Sequence, residues 1–266
     1  MLIFLKLGGS LITDKDIAYT ARHDVIKRIA EEIKRAMDST PDLKLVVGHG
    51  SGSFGHFAAI DSGYKENTSS KKQWHAFHQV WIAAHNLNYL IVDILIQSGL
   101  PVLSFPPSAA ILSEGNKVKE WNTKTIQLAL ENNLIPVIYG DIILDQTRGS
   151  RIFSTEELFL YLINPLNPDK ILLAGKEPGV WADFPNNRQL ISKITPGNFE
   201  YIKNEVTASQ SMDVTGGMHE KVTLMLNAVK KHPNLAVEIL TGEASENIYK
   251  SLTGSTTGTS IAYYNK

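Results

Sequence analysis

Residues 2–10 read Leu2-Ile3-Phe4-Leu5-Lys6-Leu7-Gly8-Gly9-Ser10. A six-residue run that is apolar at odd and even positions alike is the pattern of a strand covered on both faces. It opens into two glycines and a small hydroxyl residue, the composition of a tight turn. Lys6 interrupts the run, and an unpaired ammonium is expensive inside an apolar strand, so an anionic partner is expected. The stretch lacks the basic leader and long apolar run of a signal sequence. A buried first strand in a soluble cytoplasmic protein is the expectation.

The same grammar of strand, glycines with small hydroxyls, then helix recurs further on. Residues 43–47 lead into Gly48-His49-Gly50-Ser51-Gly52-Ser53-Phe54-Gly55-His56, and Thr215-Gly216-Gly217-Met218 precedes a helical stretch. Glycine lets backbone N–H groups approach an oxyanion with no Cβ in the way, and a following helix start adds partial positive charge. One such turn is often only a connection. Three, with Lys6, Lys15 and Lys221 beside them, point to a chain that holds more than one phosphate group. Phosphoryl transfer asks for positive charge along the line of attacking oxygen, phosphorus and leaving oxygen.

Between these turns, β-rich runs alternate with helical stretches. Strands are expected at residues 101–105, 135–139, 170–174, 237–240 and 260–263. Helices are expected at 22–37, 71–98, 123–131, 156–162 and 220–231. This alternation predicts an α/β fold, a three-layer αβα sandwich on a mainly parallel sheet. Asn164-Pro165-Leu166-Asn167-Pro168 is the best linker candidate, dividing the chain into residues 1–165 and 166–266.

Composition excludes other classes. The chain has 266 residues, 26 Lys+Arg against 27 Asp+Glu, and 43% hydrophobic residues. That balance gives no field for nucleic acid or an anionic membrane surface. No stretch reaches the ~20 apolar residues of a membrane span. With zero cysteines there is no disulfide framework, thiolate zinc site or cysteine nucleophile. Gly50-Ser51-Gly52-Ser53-Phe54-Gly55 formally matches the dinucleotide fingerprint. The next strand is expected only near Pro101, too far for its compact βαβ unit, and the bulky Phe54-Gly55-His56 is an odd start for a dinucleotide helix. The phosphate loop of common ATPases is absent.

Together these residues resemble the amino acid kinase superfamily. The features that carry the likeness are Lys6 to Ser10, the loop Gly48 to Gly55, and Asp213-Val214-Thr215-Gly216-Gly217-Met218 followed by Lys221. Within it the chain is similar to the isopentenyl phosphate kinase family, through Gly50 to His56 and through Leu11-Ile12-Thr13-Asp14-Lys15. The resemblance implies an N-terminal half (1–165) that binds isopentenyl phosphate and a C-terminal half (166–266) that binds ATP with Mg²⁺. It implies catalytic roles for Lys6, Lys15 and His56, with His56 orienting the acceptor phosphate. Lys6, Gly8, Gly9, Ser10, Ser51, Gly216, Gly217 and Lys221 would face ATP; Gly50, Gly55, His56 and Gly140 would face the acceptor. Relatives imply a homodimer.

Some residues remain open. A C5 tail needs an apolar slot, and Phe77 and Trp81, four apart on one helix, are candidates to wall it as well as to fill core. His49 is either a second phosphate contact or a loop residue, and Asp141 either orients the acceptor or makes a turn. His75, His78 and His85 read as a partly solvated helix face. Ser51 stands where the family loop has glycine. Leu173-Ala174-Gly175-Lys176-Glu177-Pro178-Gly179-Val180-Trp181 lacks the family's Asp, which leaves Lys176 as a possible nucleotide contact and Trp181 as an aromatic face. The rival functions are a kinase for fosfomycin or longer prenyl phosphates, and a non-catalytic nucleotide-binding protein.

Overall fold

The computed structural model describes residues 1–66, 68–115, 117–183, 186–200, 202 and 217–263. In it the first strand, β1 (Leu2–Leu7), is paired on both sides in parallel, with β2 (Lys44–His49) and β9 (Lys170–Gly175). The sheet continues through β3 (Val102–Ser104), β6 (Ile135–Tyr139), β12 (Lys193–Ile194), β13 (Ala236–Thr241) and β14 (Thr259–Ala262), while β10 (Val180–Trp181) and β11 (Leu190–Ile191) pair with each other and α5 (Pro107–Ala110) is a single turn. Its order is β12-β14-β13-β9-β1-β2-β6-β3, parallel at every step except β13 to β14.

The period-two alternation of β1 sorts the core. Ile3, Leu5 and Leu7 join a buried cluster with Leu45, Val47, Val137, Leu172 and Leu240 on one face. Phe4 joins Val46, Ile138, Ile171 and Ile239 on the other. Helices α2 (His23–Ser39), α3 (Gly52–Ser62) and α4 (Lys71–Gln97) contribute to the first cluster. Helices α6 (Lys124–Glu131), α7 (Thr155–Leu166) and Met218–Lys231 cover the second. This is the expected three-layer sandwich.

Four differences from the sequence reading matter. Residues 52–62 form a helix of their own, beginning at Gly52, ahead of the expected one at 71–98. The distance to β3 still separates the segment from a dinucleotide unit. A second sheet, β5-β4-β7-β8, goes beyond the sequence expectation: β4 (Ile111–Glu114), β5 (Lys117–Trp121), β7 (Asp141–Asp145) and β8 (Gly149–Phe153) are only four or five residues long and mix polar with apolar positions. Residues 164–166 of the expected linker are the last turn of α7, with Pro165 inside it and Asn167 left-handed at its cap. Finally, α4 meets the length and hydropathy of a membrane span, contrary to expectation. Its Val80, Ala83, Leu87, Ile91 and Leu95 are buried in the first core cluster, as in a core helix.

Candidate active site

In a parallel sheet every strand delivers its following loop to the same edge, where ligands of open α/β sheets bind. The register brings Leu7, His49 and Tyr139 level, and Leu7 level with Ala174 and Leu240. The turns after β1, β2, β6, β9 and β13 therefore converge there.

The first two turns are built into one another. A Cβ on Gly9 would lie 2.5 Å from the backbone nitrogen of Gly52, and one on Gly50 would lie 2.9 Å from the nitrogen of Gly9. Gly8 donates its N–H to the Ala174 carbonyl, and Gly50 donates to Leu7. The buried Thr13 hydroxyl donates to the Gly9 carbonyl (2.7 Å) and accepts from the Ser53 N–H (2.9 Å), pinning both turns through one oxygen. Gly8 caps the short helix α1 (Gly9–Ile12), which holds Ser10, and Ser51 caps α3. The Ser51 side chain fits because residue 55 is glycine: a Cβ there would meet its Oγ at 2.2 Å.

Lys6 points to the Phe4 face, towards α7. Gly48, its neighbour on β2, leaves the space that the Thr155 methyl and the Phe159 ring of α7 occupy. A capping box at Ser154 and Glu157 starts α7 here, and Thr155 donates its hydroxyl to the His49 carbonyl at 2.6 Å. This puts Glu156 in an ion pair with Lys6, both side chains nearly buried. Burial alone would raise the Glu156 carboxyl; the charges of Lys6 and Lys221 outweigh it and hold the group below its usual range. Lys6, Glu156 and Lys221 thus form one electrostatic unit, and the anionic partner of Lys6 is a side chain of the same protein. Sequence reading passed over Glu156. The Ser154-x-x-Glu157 capping signal locates the helix start, but nothing local couples residue 156 to residue 6.

Gly217 caps the helix Met218–Lys231, on whose first turn Lys221 sits; Gly216 lies outside the described residues. Lys15 is exposed on the loop after α1, and His56 is exposed on α3, edge-on to the Phe57 ring. His49 is buried and has a structural role. Asn88 donates to its Nε2 (3.1 Å) and its Nδ1 faces the Gly50 carbonyl (3.1 Å), while Asn88 accepts from Ser104. Burial lowers its pKa to about 4, the Gly50 carbonyl pulling the other way, so it is neutral and stacked on Tyr139.

Gly140 donates its N–H to the His49 carbonyl. The adjoining Asp141 is buried, accepts from the Ser108 and Ile142 N–H groups, and is raised by burial against those hydrogen bonds. Trp81, half-buried on α4, lies between the His78 and His85 rings and donates its indole N–H to the Ser108 hydroxyl. Phe77, one turn away, packs against the first core cluster. In the segment without the family's Asp, Lys176 is exposed, and the Trp181 indole N–H donates to Glu177 at 2.8 Å.

A lysine–carboxylate–lysine unit at the mouth of paired glycine turns, on the carboxyl edge of a parallel sheet, is the layout of a phosphoryl-transfer protein. The chain belongs to the amino acid kinase family, matched over residues 1–238. It is 35% identical to the isopentenyl phosphate kinase of Methanocaldococcus jannaschii, over 99% of each chain. It is 31% identical to that of Methanothermobacter thermautotrophicus, over 95% of this chain and 96% of that one. A crystal structure of an isopentenyl phosphate kinase aligns with a TM-score of 0.80 at 27% identity, covering 98% of this chain and 100% of that one.

Proposed function

We propose that this protein transfers the γ-phosphoryl group of ATP to isopentenyl phosphate, giving isopentenyl diphosphate and ADP for isoprenoid synthesis. The observation that carries the reading is the Lys6–Glu156–Lys221 unit beside the interlocked glycine turns. An oxygen of the acceptor phosphate attacks the γ-phosphorus, and the bond from that phosphorus to the β–γ bridging oxygen breaks. A phosphate oxygen is already an anionic nucleophile, so no general base is required. Lys6 and Lys15 offset charge on the moving group. Lys221, Gly8, Gly9, Ser10, Ser51, Gly216 and Gly217 hold the nucleotide phosphates through charge and backbone N–H groups. Gly50, Gly55, His56 and Gly140 face the acceptor phosphate, with Phe77 and Trp81 beside its tail.

Mg²⁺ belongs to this reading with the nucleotide. Among the described residues no group of three or more His, Asp or Glu is placed to hold a metal, and Glu156 is engaged by Lys6. The residues therefore suit an ion carried on ATP oxygens rather than one caged by protein. The working form is a cytoplasmic homodimer, which sedimentation tests.

The assay is phosphoryl transfer from ATP to isopentenyl phosphate with Mg²⁺, run beside dimethylallyl, geranyl and farnesyl phosphates and fosfomycin. Isopentenyl phosphate is expected to have the highest kcat/KM; turnover of none of these acceptors overturns the reading. His56→Ala is expected to lower kcat by ~10²-fold or more with little change in ATP affinity, the scale of losing one oxyanion donor. Unaltered turnover would remove His56 from its role.

A further inference from the structure

The loop carrying Lys15 leaves and re-enters the fold through a narrow neck. Thr13 and Ala21 form an antiparallel bridge, Asp14 donates its N–H to the Thr20 carbonyl (2.9 Å), and Arg22 donates its N–H to Ile12 (2.8 Å). The guanidinium of Arg22 then reaches in two directions. Nη1 donates to the Leu11 carbonyl of α1 at 2.9 Å, and Nη1 and Nη2 fork onto Glu243 at 2.5 and 3.0 Å. Glu243 follows β13, 221 residues away in the chain. Its neighbour Gly242 donates to the Gly175 carbonyl at 2.9 Å, accepts from Arg28, and packs so closely on Leu11 that a Cβ would meet Leu11 Cδ2 at 2.4 Å.

We infer that the Arg22–Glu243 fork is a positioning latch, which fixes the Lys15 loop and the first phosphate turn to the edge formed by β9 and β13. The inference rests on the phosphoryl-transfer reading, since it assigns the latch to aligning Lys15 and Gly9 with a nucleotide at that edge. Both partners are about one-third exposed or less. An ion pair so near water adds little stability, while a two-pronged guanidinium–carboxylate contact fixes orientation. Misplacement of a transfer group by an ångström costs far more in rate than such a pair gives in stability. The latch therefore acts on kcat more than on folding.

The test compares wild type with Arg22→Ala, Arg22→Lys, Glu243→Gln and a control, Glu246→Gln. The control loosens a second fork, Arg35–Glu246, that joins α2, the helix Arg22 precedes, to the same C-terminal segment but does not touch the Lys15 loop. Steady-state kinetics, thermal unfolding and amide exchange over residues 13–22 are read for each. The first three are expected to lose tenfold or more in kcat, with Tm within a few degrees and KM for ATP changed less than threefold. Their Asp14 and Arg22 amides should exchange faster. Lysine keeps the charge but not the fork, so Arg22→Lys is expected not to rescue. Wild-type kcat in Glu243→Gln, full rescue by lysine, or an equal loss in the control each overturns the latch. Should wild type itself turn over no acceptor, the functional reading falls, and exchange alone decides: unchanged protection over residues 13–22 then overturns the latch.

Discussion

Lys6 and Glu156 show what a single residue type can and cannot disclose. A lysine inside an apolar strand announced that an anion was needed, because its cost there is a property of the residue. Which anion depends on a helix that begins 149 residues later, at Thr155, so the sequence leaves it unnamed. Losing one member of a nearly buried pair strands the other. Glu156→Ala is expected to cost about 3 kcal/mol in urea unfolding, and Lys6→Ala with Glu156→Ala less than the two singles added. Simple additivity would show that the two groups do not act as a pair. His49 is a second case. Its partners, Asn88 and Ser104, lie on α4 and β3, so its structural role was illegible beside the similar-looking His56. Its native pKa near 4 lies below the usual 6.5, so between these values the unfolded chain binds more protons. Stability is thus full above about pH 6.5 and falls as the pH drops towards 4, by on the order of 3 kcal/mol from this group. In His49→Gln that limb of the stability–pH curve should flatten; an unchanged slope would show that His49 does not titrate as described.

Elements with strong periodicity were read closely. The expected strand at 135–139 is β6 itself, and the expected helix at 71–98 differs from α4 by one residue. The glycine turns were also legible as turns, since glycine spacing is a local signal. That they lock into each other was not, because the contact is between backbones. Helix α3 was missed for a related reason: its opening glycines lower helix propensity, and packing of Phe54 and Ala58 in the core decides the matter. Gly9→Ala tests the lock. Its added methyl meets Gly52 backbone, which has no side chain to swing aside, so a loss of ~1–3 kcal/mol and a lower kcat are expected. Gly197→Ala, whose nearest neighbour would be the Thr195 Oγ1 at 3.8 Å, should change neither. Equal behaviour of the two variants would mean that the turns are not interlocked.

At the scale of the whole molecule, the sheet runs through the boundary expected near residue 165. Residues 3–7 pair with residues 170–174, and Leu2 N–H is accepted by Asp169 at 2.7 Å. The two core clusters lie on opposite faces of this shared sheet and not in opposite halves of the chain. Loss of far-ultraviolet and near-ultraviolet circular dichroism in urea should therefore coincide in one transition. Two separated transitions would show halves that fold independently.

The central place of β1 has a consequence for synthesis. β1 leaves the ribosome before either of the two strands that it pairs with, and those two are far apart in the chain. β2 is available after fewer than fifty residues, but β9 and the carboxylate for Lys6 are not made until residues 156–175. At roughly 5–20 residues per second, about 8–30 s pass between translation of Lys6 and of Glu156. Until then Lys6 lacks its Glu156 partner, and a charge within an apolar strand disfavours pairing with other chains.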